Sequence, residues 1–148
     1  MDKFFSYLNA FPMPLWLGMM FAPRAKLTQQ VSRSSVVFGL AAFHYVAALG
    51  LAVLGGRRSQ SPVSPTDFTS LEGIRKGLST REGALAAWSH MLALDLFTGA
   101  WIYREAMRLA APAWVRIPAL ALTLMAGPFG LLLFLIWRTV KTGPALSD

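Results

Sequence analysis

One long apolar segment carries the residue types best suited to acid–base chemistry. Residues 84–105 read ALAAWSHMLALDLFTGAWIYRE, with His90 and Asp95 near the middle, and this is close to the ~20 residues that cross a bilayer as a helix. A carboxylate at that depth is costly and usually faces a protein interior or a watery cavity. Asp95 is therefore the first candidate for a catalytic acid or base. The alternative is a packing role, in which a hydrogen-bonded carboxyl holds neighbouring helices together.

His44 is a second candidate, because it lies near the middle of another apolar segment. Helix geometry places His90 about 140° around the helix from Asp95, so these two side chains are poor direct partners. His44 instead falls at the depth of Asp95, and of Gly127-Pro128, when the apolar segments are aligned by their midpoints. A His–Asp pair in a dry site would share one proton and act as general acid and base. For His44 the alternative is a hydrogen-bonded packing histidine.

Metal and cofactor ligands are scarce in this sequence. With two His and no Cys, the chain lacks the ligands of an iron–sulfur cluster and the many His of a membrane di-iron oxygenase. Zinc would need two carboxylates to complete its shell. A b-type haem held by His44 and His90 stays open as an alternative, although the two residues lie at different depths. We predict no metal and no cofactor.

Composition indicates an integral membrane protein with a single domain, residues 1–148. Apolar residues make up 55% of the chain and its mean hydropathy is +0.48, which is too apolar for a soluble domain of this size. The net charge of +7 comes from Lys and Arg between the apolar segments, where they meet anionic headgroups. We therefore expect the lipid bilayer as a partner and no nucleic acid. We also expect the N-terminal apolar stretch to be retained, because it lacks a good cleavage site.

Hydropathy and helix signals predict an all-α bundle of four transmembrane helices plus one short interfacial amphipathic helix. Pro12 and Pro14 predict a kink in the first span, and Gly127-Pro128 predict a break in the fourth. The spacing of Thr69 to Glu72, and of Ser79 to Glu82, is that of a capping box. The predicted spans cover residues 4–21, 35–54, 83–104 and 117–137, with a polar connection at 28–33, a loop at 55–65 and the interfacial helix at 67–78.

Four spans would place both termini on one side of the membrane. Counted on that basis, eight Lys and Arg lie on the side of the termini and six lie opposite. Because basic residues concentrate on the cytoplasmic side, we expect cytoplasmic termini. The sequence shows no plastid transit extension, so we expect a bacterial inner membrane.

Three stretches resemble the abscisic-acid-deficient-four-like family, small four-span membrane proteins whose plant members are required to make neoxanthin from violaxanthin. They are PLWLGMMFAPRAKLTQ, FTSLEGIRKGLSTREGALAAWSHMLALDLFTGAWIYRE and LTLMAGPFGLLLFLIWR. The positions carried over by these motifs are Trp88, His90, Asp95, Gly99, Trp101, Glu105, Gly127, Pro128 and Arg138.

The resemblance implies an isomerisation in which an epoxide opens and a vinylic proton leaves to give an allene. Such a reaction needs an acid, a base and an apolar groove with aromatic walls, and it needs no redox cofactor. The predicted catalytic residues are Asp95, His90, His44 and Glu105. The predicted substrate-binding residues are Trp16, Trp88, Phe97, Trp101, Gly127 and Pro128.

Two functions of different classes follow. The first is a membrane-embedded enzyme that modifies a carotenoid or another apolar isoprenoid, as a neoxanthin-synthase-like isomerase would. The second is a non-catalytic subunit that binds carotenoid or lipid, or that assembles as a homo-oligomer or within a larger membrane complex. Transport is a weaker third alternative, because the sequence has no internal repeat.

Overall fold

The computed structural model describes residues 2–58 and 69–143, and within these ranges all regular structure is helical. This confirms the all-α class. The predicted loop residues 59–65 and the first two residues of the predicted interfacial helix, 67 and 68, lie outside the described residues. The helices are α1 (Asp2–Ala10), α2 (Met13–Phe21), α3 (Lys26–Val31), α4 (Ser35–Arg58), α5 (Leu71–Leu78), α6 (Arg81–Arg108), α7 (Ala113–Ala126) and α8 (Pro128–Thr142).

The longest helix, α6, is the axis on which the others pack. It has 28 residues and is therefore about 42 Å long at 1.5 Å per residue. α1 and α2 run parallel to it: Asp2 pairs with Arg81 at its first turn, and Pro23 contacts Tyr103 near its last. The helix breaks between Ala10 and Met13, as expected, because proline removes a backbone donor there.

α4 runs antiparallel to α6, with Phe38 against Phe97 and Tyr45 against His90. Among the residues described, α4 is the one helix that is both long and apolar enough to cross a membrane, over Ser35–Leu54. α7 is also apolar but shorter. Four membrane-spanning helices are therefore not established by length and composition.

The segment expected to form the fourth span folds back on itself as a hairpin of α7 and α8. A Cβ atom on Gly130 would overlap the carbonyl of Ala119 and the amide of Thr123. In one continuous helix Ala119 and Gly130 would lie about 16 Å apart. The predicted break at Gly127-Pro128 is therefore confirmed, but it reverses the chain instead of kinking it, because Gly127 has a φ of +38° that side-chain-bearing residues rarely adopt.

The hairpin changes the predicted topology. α7 begins beside the C-terminal end of α6, and α8 returns the chain to that same end. Asp2 pairs with Arg81 at one end of α6 and Arg138 pairs with Glu105 near the other, so residues 2 and 143 lie at opposite ends of the bundle. The expectation of both termini on one side is wrong. By end, the basic residues now number eight at the Glu105 end and six at the Asp2 end.

Helices α5 and α6 both begin one residue later than the predicted capping boxes, and the third residue of each helix is a glycine that cannot complete such a box. The side chain of Ser70, not Thr69, accepts a hydrogen bond from the Gly73 amide at 3.1 Å and begins α5. The side chain of Thr80, not Ser79, accepts one from the Gly83 amide at 3.0 Å and begins α6. In each case a hydroxyl-bearing residue follows another, so the spacing alone did not choose between them.

Two connections are more regular than the sequence suggested. Residues 26–31 form the six-residue helix α3 inside the expected polar connection. α4 continues to Arg58, so residues 55–58 of the expected loop belong to a helix.

Candidate functional site

The hairpin tip rests on the carboxylate of Asp95, halfway along α6. A Cβ atom on Gly127 would lie 2.5 Å from Asp95 Oδ1, so the backbone of the tip and the carboxylate are in direct contact. This brings together Asp95 and Gly127, which the sequence predicted to lie at one depth. Pro128 follows as the first residue of α8 and is exposed.

Asp95 is half-buried, yet the fold does not use its charge. Within residues 2–58 and 69–143 no group donates a hydrogen bond to the carboxylate, and no cation pairs with it. The helix-bracing role would require such bonds. Both carboxylate oxygens are therefore available to a ligand.

The hairpin covers one face of α6 only from Asp95 onward. Ile102 is 0% exposed and belongs to the core formed by α2, α4, α6, α7 and α8. On the same face before Asp95, Trp88 is 39% exposed and Met91 is 47% exposed. We call Ala84, Trp88, Met91 and Asp95 the open face of α6.

A recess of 340 Å³ continues the open face toward the first turn of α6, between α1 and α6. Phe5 lies against Trp88 there, with ring centroids 6.2 Å apart. Trp88 is held in place because its indole N–H donates to Asn9 at 3.1 Å. An elongated apolar molecule lying along this face would meet Asp95 at one end and the Asp2–Arg81 pair at the other.

His44 is buried among aromatic rings and makes no ion pair with Asp95 in the described parts of the chain. The ring centroids of Tyr7 and Phe11 lie 5.2 Å from its own, in edge-on geometry. The adjoining cavity measures 10 Å³, which is room for about one water. The structure therefore packs His44 among rings and away from space for a substrate, but without the hydrogen bond to another described residue that the packing alternative expected.

His90 and Phe97 face α4, not the open face. The His90 ring is 5.0 Å from that of Tyr45, and the Phe97 ring is 5.6 Å from that of Phe38. Helix geometry had separated His90 from Asp95 by about 140°, and the packing of α4 agrees with this. Neither side chain reaches the Asp95 carboxylate by hydrogen bond or ion pair among the described residues.

Two further predicted binding residues pack inside the bundle. Trp16 is 1% exposed and its six-membered ring packs on Gly99, where any Cβ atom would overlap the indole. Trp101 packs edge-on against Phe134, with centroids 5.9 Å apart, and so ties α8 to α6.

Glu105 lies about 15 Å along α6 from Asp95 and joins two helices. Its Oε1 atom is 2.6 Å from Arg108 and 2.9 Å from Arg138 of α8. Hydrogen bonding to Arg108, together with Arg138, lowers the pKa of Glu105 to about 2 against the opposing effect of burial. A carboxylate with this pKa is a weak base, so Glu105 is better suited to bracing the hairpin than to proton transfer.

Within residues 2–58 and 69–143, no three His, Asp or Glu side chains converge as metal ligands would. The sequence missed one functional feature, the arginine-lined cleft beside Glu105. The sequence does show basic residues on both sides of α3 and at the end of α6. It could not show that they meet, because their convergence depends on tertiary packing.

Comparison with known proteins agrees with the resemblance seen in the sequence. Residues 3–134 match the ABA DEFICIENT 4-like family. The chain is 27% identical over 95 residues to Protein ABA DEFICIENT 4, chloroplastic, from Arabidopsis thaliana. The alignment takes in 64% of the chain and 43% of the relative, so the chain spans less than half of that protein's length. No solved structure matches the chain.

The expectation of a bacterial inner membrane is wrong by this comparison, because the named relative is a chloroplastic plant protein. The expectation of cytoplasmic termini falls with it, since it also assumed that both termini lie on one side. The family match runs from α1 into the first half of α8, and it includes the open face, the hairpin tip and Glu105. On this evidence the protein belongs to the ABA DEFICIENT 4-like family.

Proposed function

We propose that this protein is a membrane-embedded isomerase of a carotenoid or related apolar isoprenoid, with Asp95 as its acid and base. One observation carries the proposal: a half-buried carboxylate without a partner among the described residues stands at the end of an apolar face, against a strained glycine. A carboxyl group left unbonded in an apolar setting is costly, so it is retained where a ligand satisfies it. The family relation supports an isoprenoid as that ligand.

In the proposed membrane arrangement, α1–α2, α4 and α6 cross the bilayer while α7 and α8 enter and leave on one side. Each hairpin arm has 14 or 15 residues, about 21 Å, which is shorter than the ~30 Å hydrocarbon core. α5 lies at the surface, since Leu71, Ile74 and Leu78 are all exposed along one side. A broken backbone at membrane depth is tolerated where protein buries it, and Gly127 is buried.

The chemistry needs one proton delivered and one removed. The Asp95 carboxyl gives its proton to the epoxide oxygen as the C–O bond breaks. The carboxylate so formed then takes a proton from the neighbouring vinylic carbon, whose C–H electrons form the allene. The carboxyl group is regenerated, and substrate and product have equal mass. Trp88 and Met91 hold the apolar part of the substrate.

A second candidate function is a non-catalytic subunit that holds carotenoid or lipid. It is favoured by the outer side of α4, where Val36, Phe43 and Val46 are all exposed and where a partner or lipid would bind. Both functions predict that pigment copurifies with the protein, but only the isomerase predicts that the pigment is chemically changed.

The test is expression of the full chain in cells that make defined xanthophylls, followed by mass spectrometry and chromatography of the extracted pigments. We expect a product of unchanged mass and altered retention. Asp95→Asn should insert normally, copurify pigment and make no product. Glu82→Gln is the matched control, because it removes an acid from the first turn of the same helix, and it should keep activity.

Pigment that copurifies unaltered with the wild-type chain would favour the second candidate. Full activity in Asp95→Asn would end the acid–base proposal.

The membrane arrangement has its own test, which is possible because the sequence contains no Cys. Cysteines introduced singly as Lys3→Cys and Lys141→Cys should be labelled from opposite sides of sealed vesicles. Labelling from the same side would contradict the hairpin topology.

A further inference from the structure

A cleft of 530 Å³ opens at the Glu105 end of the bundle. It lies between α3 and the last turns of α6, well away from the open face. Its lining includes three arginines against one glutamate. The polar lining residues are Gln29, Arg33, Tyr103, Arg104, Glu105 and Arg108.

Two of these arginines lack a carboxylate partner among the described residues. Arg33 follows α3 and makes no ion pair with any other residue that the structure describes, and its charge is near enough to repel Arg104. Arg104 donates to the backbone carbonyl of Ser32, which fixes its guanidinium without neutralising it. The one carboxylate, Glu105, is already bound by Arg108 and Arg138. Within residues 2–58 and 69–143, the cleft thus holds two positive charges close together, and no carboxylate pairs with either of them.

We propose that this cleft binds the phosphate group of an anionic membrane lipid. Guanidinium groups match phosphate oxygens in geometry and form charge-assisted hydrogen bonds with them. Arg33 and Arg104 approach from different elements, as a clamp on one anion requires, and Gln29 adds an uncharged donor. A bound phosphate would relieve the repulsion between the two guanidinium groups.

A lipid is favoured over free phosphate because the cleft has an apolar wall. Trp101 and Met107 also line it, and Trp101 continues toward the core through Phe134. Eight basic residues gather at this end of the bundle, which suits the headgroup layer. The inference does not depend on the reaction proposed for Asp95.

The test uses the full chain in neutral detergent at physiological salt with three ligands: dihexanoyl phosphatidylglycerol, dihexanoylglycerol and inorganic phosphate. The Kd of each is obtained from the rise in Tm with ligand concentration. Arg33→Gln is the main variant, because the exposed Arg33 side chain makes no hydrogen bond to the described parts of the chain and the variant should fold normally. Lys26→Gln is the matched control, a basic residue at the same end that does not line the cleft.

We expect phosphatidylglycerol to bind wild type and Lys26→Gln alike and to bind Arg33→Gln at least about tenfold more weakly, the loss typical of one hydrogen bond to a charged group. Dihexanoylglycerol, which lacks the phosphate, should bind all three weakly. Inorganic phosphate that binds as tightly as the lipid would overturn the lipid assignment. Equal binding of phosphatidylglycerol by Arg33→Gln and wild type would overturn the site.

Discussion

Asp95 and Glu105 are two carboxylates on one helix, about 15 Å apart, and the fold treats them in opposite ways. Glu105 is 12% exposed and binds two arginines, one of them from the returning arm of the hairpin. Asp95 touches the hairpin tip but gains no hydrogen bond within the described residues. An ion pair thus holds the base of the hairpin on α6, whereas its tip is held by close packing of Gly127 against Asp95.

This difference indicates which carboxylate is structural and which is free for chemistry. A paired carboxylate contributes to stability and is a poor proton donor or acceptor near neutral pH. An unpaired one contributes little to stability and keeps its chemistry. Substitutions at the two positions should therefore separate activity from stability.

The largest effect is expected for Asp95→Asn, which keeps the shape of the side chain but removes its exchangeable proton. Loss of a general acid–base group lowers the rate by about 10²–10⁴-fold. Because no hydrogen bond of the described fold is lost, the Tm in detergent should stay within about 2 °C of wild type. Pigment conversion and thermal unfolding measured on the same preparation test both halves. A large fall in Tm would make Asp95 a structural residue.

Gly127→Ala should have the second largest effect, because it disturbs the contact between the hairpin tip and Asp95. The new methyl group would lie 2.5 Å from Asp95 Oδ1 on a backbone with a φ of +38°, and backbone strain of this kind costs about 1–3 kcal/mol. We expect lower stability and lost activity together. Gly50→Ala is the control, because a Cβ atom there meets nothing within 4 Å. Wild-type unfolding of Gly127→Ala would mean that the tip is not held against Asp95.

Glu105→Gln should lower stability while sparing the chemistry. It removes two charge-assisted bonds from a mostly buried carboxylate, at a cost of about 2 kcal/mol. Glu72→Gln breaks a pair with Arg75 in which both side chains are exposed, so it should have little effect on stability. Unfolding titrations give both values, and activity per folded molecule should stay near wild type. Loss of activity without loss of stability would return Glu105 to the catalytic candidates.

The smallest effect is a pH dependence that belongs to Glu105. Its pKa is about 2 in the folded protein against an ordinary 4.5, so its contribution is complete above pH 4.5 and is lost as the pH falls toward 2. Between pH 7 and pH 3.5 wild type should lose about 1 kcal/mol more than Glu105→Gln. Unfolding free energies of both proteins across this range measure the difference. Parallel curves would show that the ion pair does not hold Glu105 ionised.

Local signals in the sequence determined the helical elements and their breaks. Apolar runs fixed α4 and α6, prolines fixed the interruption after Ala10, and Gly127-Pro128 fixed the end of α7. These features depend on the residue types within a short stretch of chain, so they can be predicted from the sequence alone. The same reasoning named Asp95, because a carboxylate inside an apolar helix is unusual wherever the helix packs.

Tertiary structure decided what those elements bring together. A break at Gly127 is compatible with either a kinked span or a hairpin, and only the packing of Gly130 on Ala119 and Thr123 selected the hairpin. His44 was predicted to meet Asp95 because the two lie at equal depth. Depth does not determine how each helix is rotated about its axis, and in the structure His44 faces Tyr7 and Phe11 instead. The arginine cleft and the Glu105–Arg138 pair join residues far apart in sequence, so their existence depends on contacts that no local pattern encodes.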